Sequence, residues 1–277
     1  MIHETKRMVE NDFMNIFFRL CMWFSILLWL FRVDGVFGAA DSVSDLKKRS
    51  AKLAANVMQV KSLEEAAKIC EQIFKRKPYD FETMTLFSRV CWALGKHQKE
   101  ESQQQEWFAQ GREVGKKIRE IYPEKPEGYY WFGINYGEWV DRGSIFAKIG
   151  AKKIILENME KVLVLDDKYD GGGAYIVIGR INYVAPGGSY SKAIQYYKQA
   201  MMLGPERTTA YLYLGELYLH EHLFDKAEEL FKKVISMEVD PCYAIEARDD
   251  RKNAERLLKK VEKKGGHFPR QEKLTGH

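Results

Sequence analysis

The stretch TTAYLYLGELYLHEHLFDKAEELF, residues 208–231, decides the fold class. Tyr211, Leu214, Gly215 and Tyr218 follow one another at spacings of three, one and three, and Ala227 and Phe231 lie four apart. Such spacings put side chains on one face of a helix. Gly215 and Ala227 are small enough to let two antiparallel helices approach closely. Phe231 is then expected to fill the gap between one helical hairpin and the next.

The same ruler fits upstream. Tyr175 lies 36 positions before Tyr211, and Ile178-Gly179 repeats Leu214-Gly215. The second helix of that unit carries Ala193, Tyr197, Ala200 and Pro205, at spacings of four, three and five. Ala66, Cys70, Ile73 and Pro78 keep this spacing, and so do Gly111, Gly115, Ile118 and Pro123. Tyr129, Phe132, Gly133 and Tyr136, and likewise Met84, Phe87, Ser88 and Cys91, occupy the first-helix positions. The order W-x2-L-G-x2-Y…A-x3-F is that of tetratricopeptide repeats, here with Tyr for Trp. The expected fold is all-α: degenerate tetratricopeptide-like hairpins with about ten or eleven helices. The hairpin after Pro78 has about eleven residues more than its fellows, including Gln103-Gln104-Gln105, and 144–165 reads as one long helix. Both features depart from a regular superhelix.

Composition narrows the class. A chain of 277 residues that is 45% hydrophobic can bury a packed core. Its net charge of +5 is spread along the sequence. No basic face of the kind that marks a nucleic-acid binder stands out, so no nucleic-acid partner is expected. The one basic cluster, Lys259-Lys260 with Lys263-Lys264, reads as a solvated helix face.

Leu20 to Phe31 is uncharged and apolar, too short for a comfortable membrane span. With basic residues before it and Gly38-Ala39-Ala40 after it, residues 1–38 read as an export leader. A cleaved leader is preferred over an uncleaved inner-membrane anchor, with Met14 as an alternative start. Cys21 lies inside the apolar run, so lipidation is not expected. The helical domain is placed at 39–264 and a flexible tail at 265–277. Cys70, Cys91 and Cys242 show no CxxC spacing. Cys70 and Cys91 fall at positions that face each other in stacked hairpins, as buried free thiols in preference to a disulfide.

No catalytic, cofactor or metal constellation is nominated. Gly171-Gly172-Gly173 precedes a helix, but no Gly-Lys-Ser/Thr follows, so the run reads as a turn and not as a phosphate cradle. His220 and His222 are two apart and point about 200° from each other on a helix, which excludes the paired-histidine zinc arrangement. The aromatics from Tyr129 to Trp139 cover all sides of their helix, which indicates burial, with a cavity as the alternative. The reading is therefore of a binding protein and not of an enzyme.

The segment from Leu165 through Asp170-Gly171-Gly172-Gly173 to Tyr175, then Ile178-Gly179-Arg180 and Ala185-Pro186-Gly187-Gly188, resembles the T component associated with tripartite ATP-independent periplasmic (TRAP) transporters. Trp139 and the terminal Asn253-Ala254-Glu255-Arg256-Leu257-Leu258 fit the same family. The resemblance covers about half the chain, from Glu127 to Val261. It implies a periplasmic accessory protein that docks on a transporter's solute-binding subunit. An apolar small ligand and a homo-oligomer belong to the same implication. The alternatives are a general envelope scaffold that binds proteins or peptides and, more remotely, an enzyme with its site among the aromatics.

In tetratricopeptide stacks the first helices line one concave face. The register from the glycines nominates Arg89, Trp92, Tyr130, Ile134, Arg180, Tyr183, Leu212 and Glu216 as a candidate partner or ligand groove. Aromatics and arginine are favoured at such surfaces. The blander alternative is that Arg180 and Glu216 pair as a structural bridge between adjacent helices.

Overall fold

A helix start needs its free amides capped, and the computed structural model shows the sequence supplying those caps. Ser42 accepts from the Asp45 amide at 3.1 Å and opens α1 (Val43–Ala54). Asp80 accepts from the Thr83 amide at 3.0 Å and opens α3 (Phe81–His97). Ser189 does the same for α8 (Tyr190–Leu203), and Pro126 stands first in α5 (Pro126–Asp141). The remaining helices are α2 (Val60–Arg76), α4 (Glu101–Ile121), α6 (Ile145–Leu165), α7 (Tyr169–Val184), α9 (Thr208–His220), α10 (Phe224–Ser236) and α11 (Ala244–Gly265). A short 3₁₀ turn, Pro241–Tyr243, precedes α11. The structure describes residues 41–142 and 145–265. The expected leader or anchor at 1–38, its cleavage sites and the tail beyond Gly265 lie outside the described residues.

Eleven α-helices and no strand occur among the described residues, as the repeat spacing predicts. They form five antiparallel hairpins, α1–α2 to α9–α10, closed by α11. The first helices of successive hairpins, α1, α3, α5, α7 and α9, touch in a continuous row, which α11 extends.

The interlock inside four of the five hairpins, all but α1–α2, is a bare glycine under a large side chain. A Cβ on Gly215 would stand 2.7 Å from the Phe231 ring, and one on Gly179 would stand 2.6 Å from the Tyr197 ring. Neither distance is tolerable, so both positions must stay glycine for the rings to seat. In the α5–α6 hairpin Met159 plays the ring's part against Gly133. Phe231 also reaches the next element: it is fully buried in a cluster with Leu212, Ala254 and Leu257, the last two from α11. It therefore fills both gaps, the one within its hairpin and the one beyond it.

The extra residues after Pro78 do not open a loop. They lengthen α3 and α4 to 17 and 21 residues, against 13 each for α9 and α10. The added turns are held where Gly95 admits the buried Phe108 ring. Cys70 and Cys91 are buried free thiols, and burial pushes the Cys70 thiol up to about 12. Cys242 is exposed.

Phe231 and Tyr197 are both fully buried. Phe231→Ala and Tyr197→Ala should each lower unfolding free energy in urea by about 3–5 kcal/mol, the range for deleting a core aromatic. Losses below about 1 kcal/mol would show that the ring-over-glycine seams do not hold the hairpins.

Candidate functional site

The proposed groove residues divide into two sets. Trp92, Tyr130 and Leu212 are buried. The Trp92 ring lies 6.2 Å from that of Trp131, and Leu212 packs into the cluster that α11 completes. These three belong to the core and present no surface to a partner. Arg89, Ile134, Arg180, Tyr183 and Glu216 are partly exposed.

Arg180 and Glu216 form the bridge between α7 and α9 that the sequence offers as the blander alternative. The Arg180 Nη1 stands 2.5 Å from Glu216 Oε2, and its guanidinium lies 4.3 Å over the Tyr213 ring. The Tyr183 hydroxyl donates to the Glu216 carbonyl at 3.4 Å. A parallel bridge joins α3 to α5, with Lys96 3.3 Å from Glu138, and Lys96 also lies 4.0 Å from Asp249 of α11. The row of first helices is thus laced by ion pairs of its own.

The aromatics of α5 are split in the same way. Tyr130, Trp131 and Phe132 are buried, while Tyr136 and Trp139 are partly exposed and stack at 6.2 Å. Arg112 of α4 covers the Trp139 ring at 4.5 Å.

The residue that organises this side of the molecule is Arg207, in the loop between α8 and α9. Sequence reasoning missed it. Its side chain is buried, 2.8 Å from Asp170 Oδ2 and 3.3 Å from Glu246 Oε1, and its guanidinium lies 4.5 Å over the Tyr243 ring. Tyr130 donates its hydroxyl to the same Asp170 carboxylate. Burial opposes the Arg207 charge, but Tyr130, Asp170 and Glu246 overcome that and hold it protonated.

The glycine run is built around this arginine. Asp170, Gly171 and Gly172 have φ of 51°, 59° and 71°, the left-handed region, and regular helix resumes at Gly173. A Cβ on Gly173 would stand 2.3 Å from the Tyr130 hydroxyl and 2.7 Å from Arg207 Nη1. The run is therefore the turn that the sequence suggests, and its missing side chains make room for an arginine and a tyrosine.

Next to Arg207, α11 brings two more buried acids. Asp250 accepts from the Thr208 and Thr209 hydroxyls, both at 2.7 Å. Burial pushes Asp250 up to about 6 against those hydrogen bonds, and pushes Glu246 up to about 7 against the pull of Arg207. The second Glu246 oxygen, Oε2, is buried without a hydrogen-bond partner among the described residues.

Among the described residues no group of three or more His, Cys, Asp or Glu is placed to hold a metal ion. His220 is exposed beside Tyr190, and His222 sits beyond the helix at φ 59°. No helix among the described residues is long and apolar enough to cross a membrane.

The stack of hairpins has a row of first helices laced by its own ion pairs. The profile of the family described as "Regulator of microtubule dynamics protein 1-3" matches residues 49–262. The chain belongs to that family. The matched span runs from within α1 to within α11, so it covers all five hairpins and the Arg207 cluster. No curated protein sequence matches the chain. Among solved structures, a thermophilic tetratricopeptide protein of Thermus thermophilus, TTC0263, superposes with a TM-score of 0.58 at 20% identity, over 78% of this chain and all of that one. MamA superposes with a TM-score of 0.45 at 18% identity, over 83% of this chain and all of that one. The first likeness shows a tetratricopeptide-type fold.

The cluster has a pH signature. Glu246 and Asp250 hold their protons more tightly folded than unfolded, so their contribution to stability is full below about pH 4 and declines as pH rises through 6 to 7. The Asp250→Asn variant should lose less melting temperature than the parent protein between about pH 5 and about pH 7.5, measured by circular dichroism. Identical losses in the two proteins would mean that Asp250 does not titrate in this window.

Proposed function

We propose that this chain is a protein-binding helical scaffold that acts on microtubule dynamics by contacting tubulin or a tubulin-associated protein. One observation carries the reading. The family match runs through the whole hairpin stack and not through an isolated motif, so the family's described role attaches to the scaffold as a unit. A scaffold of this kind works by presenting side chains on a rigid frame, and the glycine seams and ion-paired helix row supply that rigidity.

A second reading is supported by the Asp170–Gly173 and Pro186–Gly188 loops: an exported accessory protein of a TRAP-type uptake system, docked on its solute-binding subunit. The Arg207 cluster gives the first of those loops a structural reason that any partner would leave in place.

Purified protein should co-sediment with stabilised microtubules and change the turbidity time course of tubulin assembly. Protein that stays in the supernatant and leaves assembly unchanged, while a TRAP solute-binding subunit retains it on a column, would replace the first reading with the second.

A further inference from the structure

Three of the groove residues are buried and Arg180 is paired with Glu216, whereas the cations of α11 face outward. A dense run of exposed cations lies on α11. Ala254, Leu257 and Val261 are the buried face of that helix, turned toward α9 and α10. Opposite them stand Lys252, Arg256, Lys259 and Lys263, spaced four, three and four, all exposed. Arg248 and Lys260 flank the line and are exposed too. At 1.5 Å per residue the ridge from Arg248 to Lys263 is about 22 Å long. Lys252, Arg256, Lys259 and Lys260 have no carboxylate within ion-pair distance among the described residues, whereas Lys96, Arg142, Arg180 and Arg207 are all paired. Arg248 pairs with its own neighbour, Asp249, at 2.9 Å.

Lys259, Lys260 and Lys263 are thus the end of a ridge that begins at Arg248. Its apolar face is already buried, so α11 has no hydrophobic side to sink into a lipid surface. Glu255 and Glu262 run along one flank and are exposed. A broad anionic surface, bilayer or duplex, would meet those acids, while a narrow chain lying on the ridge would not. Cations one helical turn apart, about 5.4 Å, come close to the spacing of alternate side chains on an extended strand, about 6.6 Å.

We infer that the outward ridge of α11, built from Lys252, Arg256, Lys259 and Lys263 with Arg248 and Lys260, docks an extended acidic segment of a protein partner. The inference rests on the scaffold reading above and names the chemistry by which the scaffold holds its partner. Association steered by such a ridge falls with ionic strength.

The test uses the full chain and a fluorescein-labelled oligoglutamate peptide, read by anisotropy. One variant carries Lys252→Glu, Arg256→Glu and Lys259→Glu. A charge-matched control carries Lys61→Glu, Lys68→Glu and Lys75→Glu on exposed positions of α2. Circular dichroism confirms that both fold. The ridge variant should bind the peptide at least about tenfold more weakly, the control within about twofold of the parent, and added salt should weaken the parent. Equal weakening in the two variants would reduce the effect to net charge, and unchanged binding in the ridge variant would remove the site. Phosphatidylserine vesicles or duplex DNA bound more tightly than the peptide would also overturn it. Microtubule co-sedimentation of the same proteins separates the two proposals. A ridge variant that still pellets with microtubules defeats the ridge and spares the scaffold reading. Peptide binding through the ridge with no microtubule binding by the parent does the reverse.

Discussion

A guanidinium can be buried only where its charge is matched and its hydrogens are received, and Arg207 meets both conditions through groups far apart in sequence. Asp170 comes from the start of α7 and Glu246 from the start of α11, while Tyr130 reaches the same carboxylate from α5. Two hairpins, the loop that leads into a third and the closing helix therefore share one charge cluster. Removing one partner from such a buried set costs about 3–5 kcal/mol, because the charge left behind has nothing to replace it. The position of α11 follows from this constraint, and with it the direction in which the α11 ridge faces.

The second constraint is steric. In each of the last two hairpins a ring sits on a bare glycine, and in the one before them a methionine does so. Ridge-into-groove packing at such short range fixes the angle and register of each pair. That is how a sequence with unequal helix lengths still builds a continuous row. The longer α3 and α4 keep the row because Gly95 and Phe108 repeat the device in the added turns.

These two constraints explain what the sequence discloses and what it withholds. Spacings of three and four around Gly215, Gly179 and Gly133 are local, and they reveal the hairpins, their register and their tetratricopeptide-like type. The same register places Arg180 beside Glu216, where the structure has them. Burial is a different matter. Trp92, Tyr130 and Leu212 occupy first-helix positions that would be open in a regular stack, but Trp92 and Tyr130 share a buried cluster with Ile245 of α11, and Leu212 shares one with Ala254 and Leu257. Nothing in the repeat spacing says where a terminal helix will lie. Arg207 is hidden for a related reason, because its partners are 37 and 39 residues away. The signal that was available is the run Asp170-Gly171-Gly172-Gly173. Three consecutive glycines mark a place where something passes close, though not what passes.

The account makes the Arg207 cluster the tie that holds α11 on the hairpin stack, and so the support for the surface offered to a partner. Hydrogen exchange on Arg207→Met tests this most directly. The account predicts that amides in the first turns of α11 and in the Gly171–Ala174 turn lose protection together, while α3, α4 and the α9–α10 seam keep theirs. A loss confined to the residues next to position 207, with α11 as protected as in the parent protein, would contradict it.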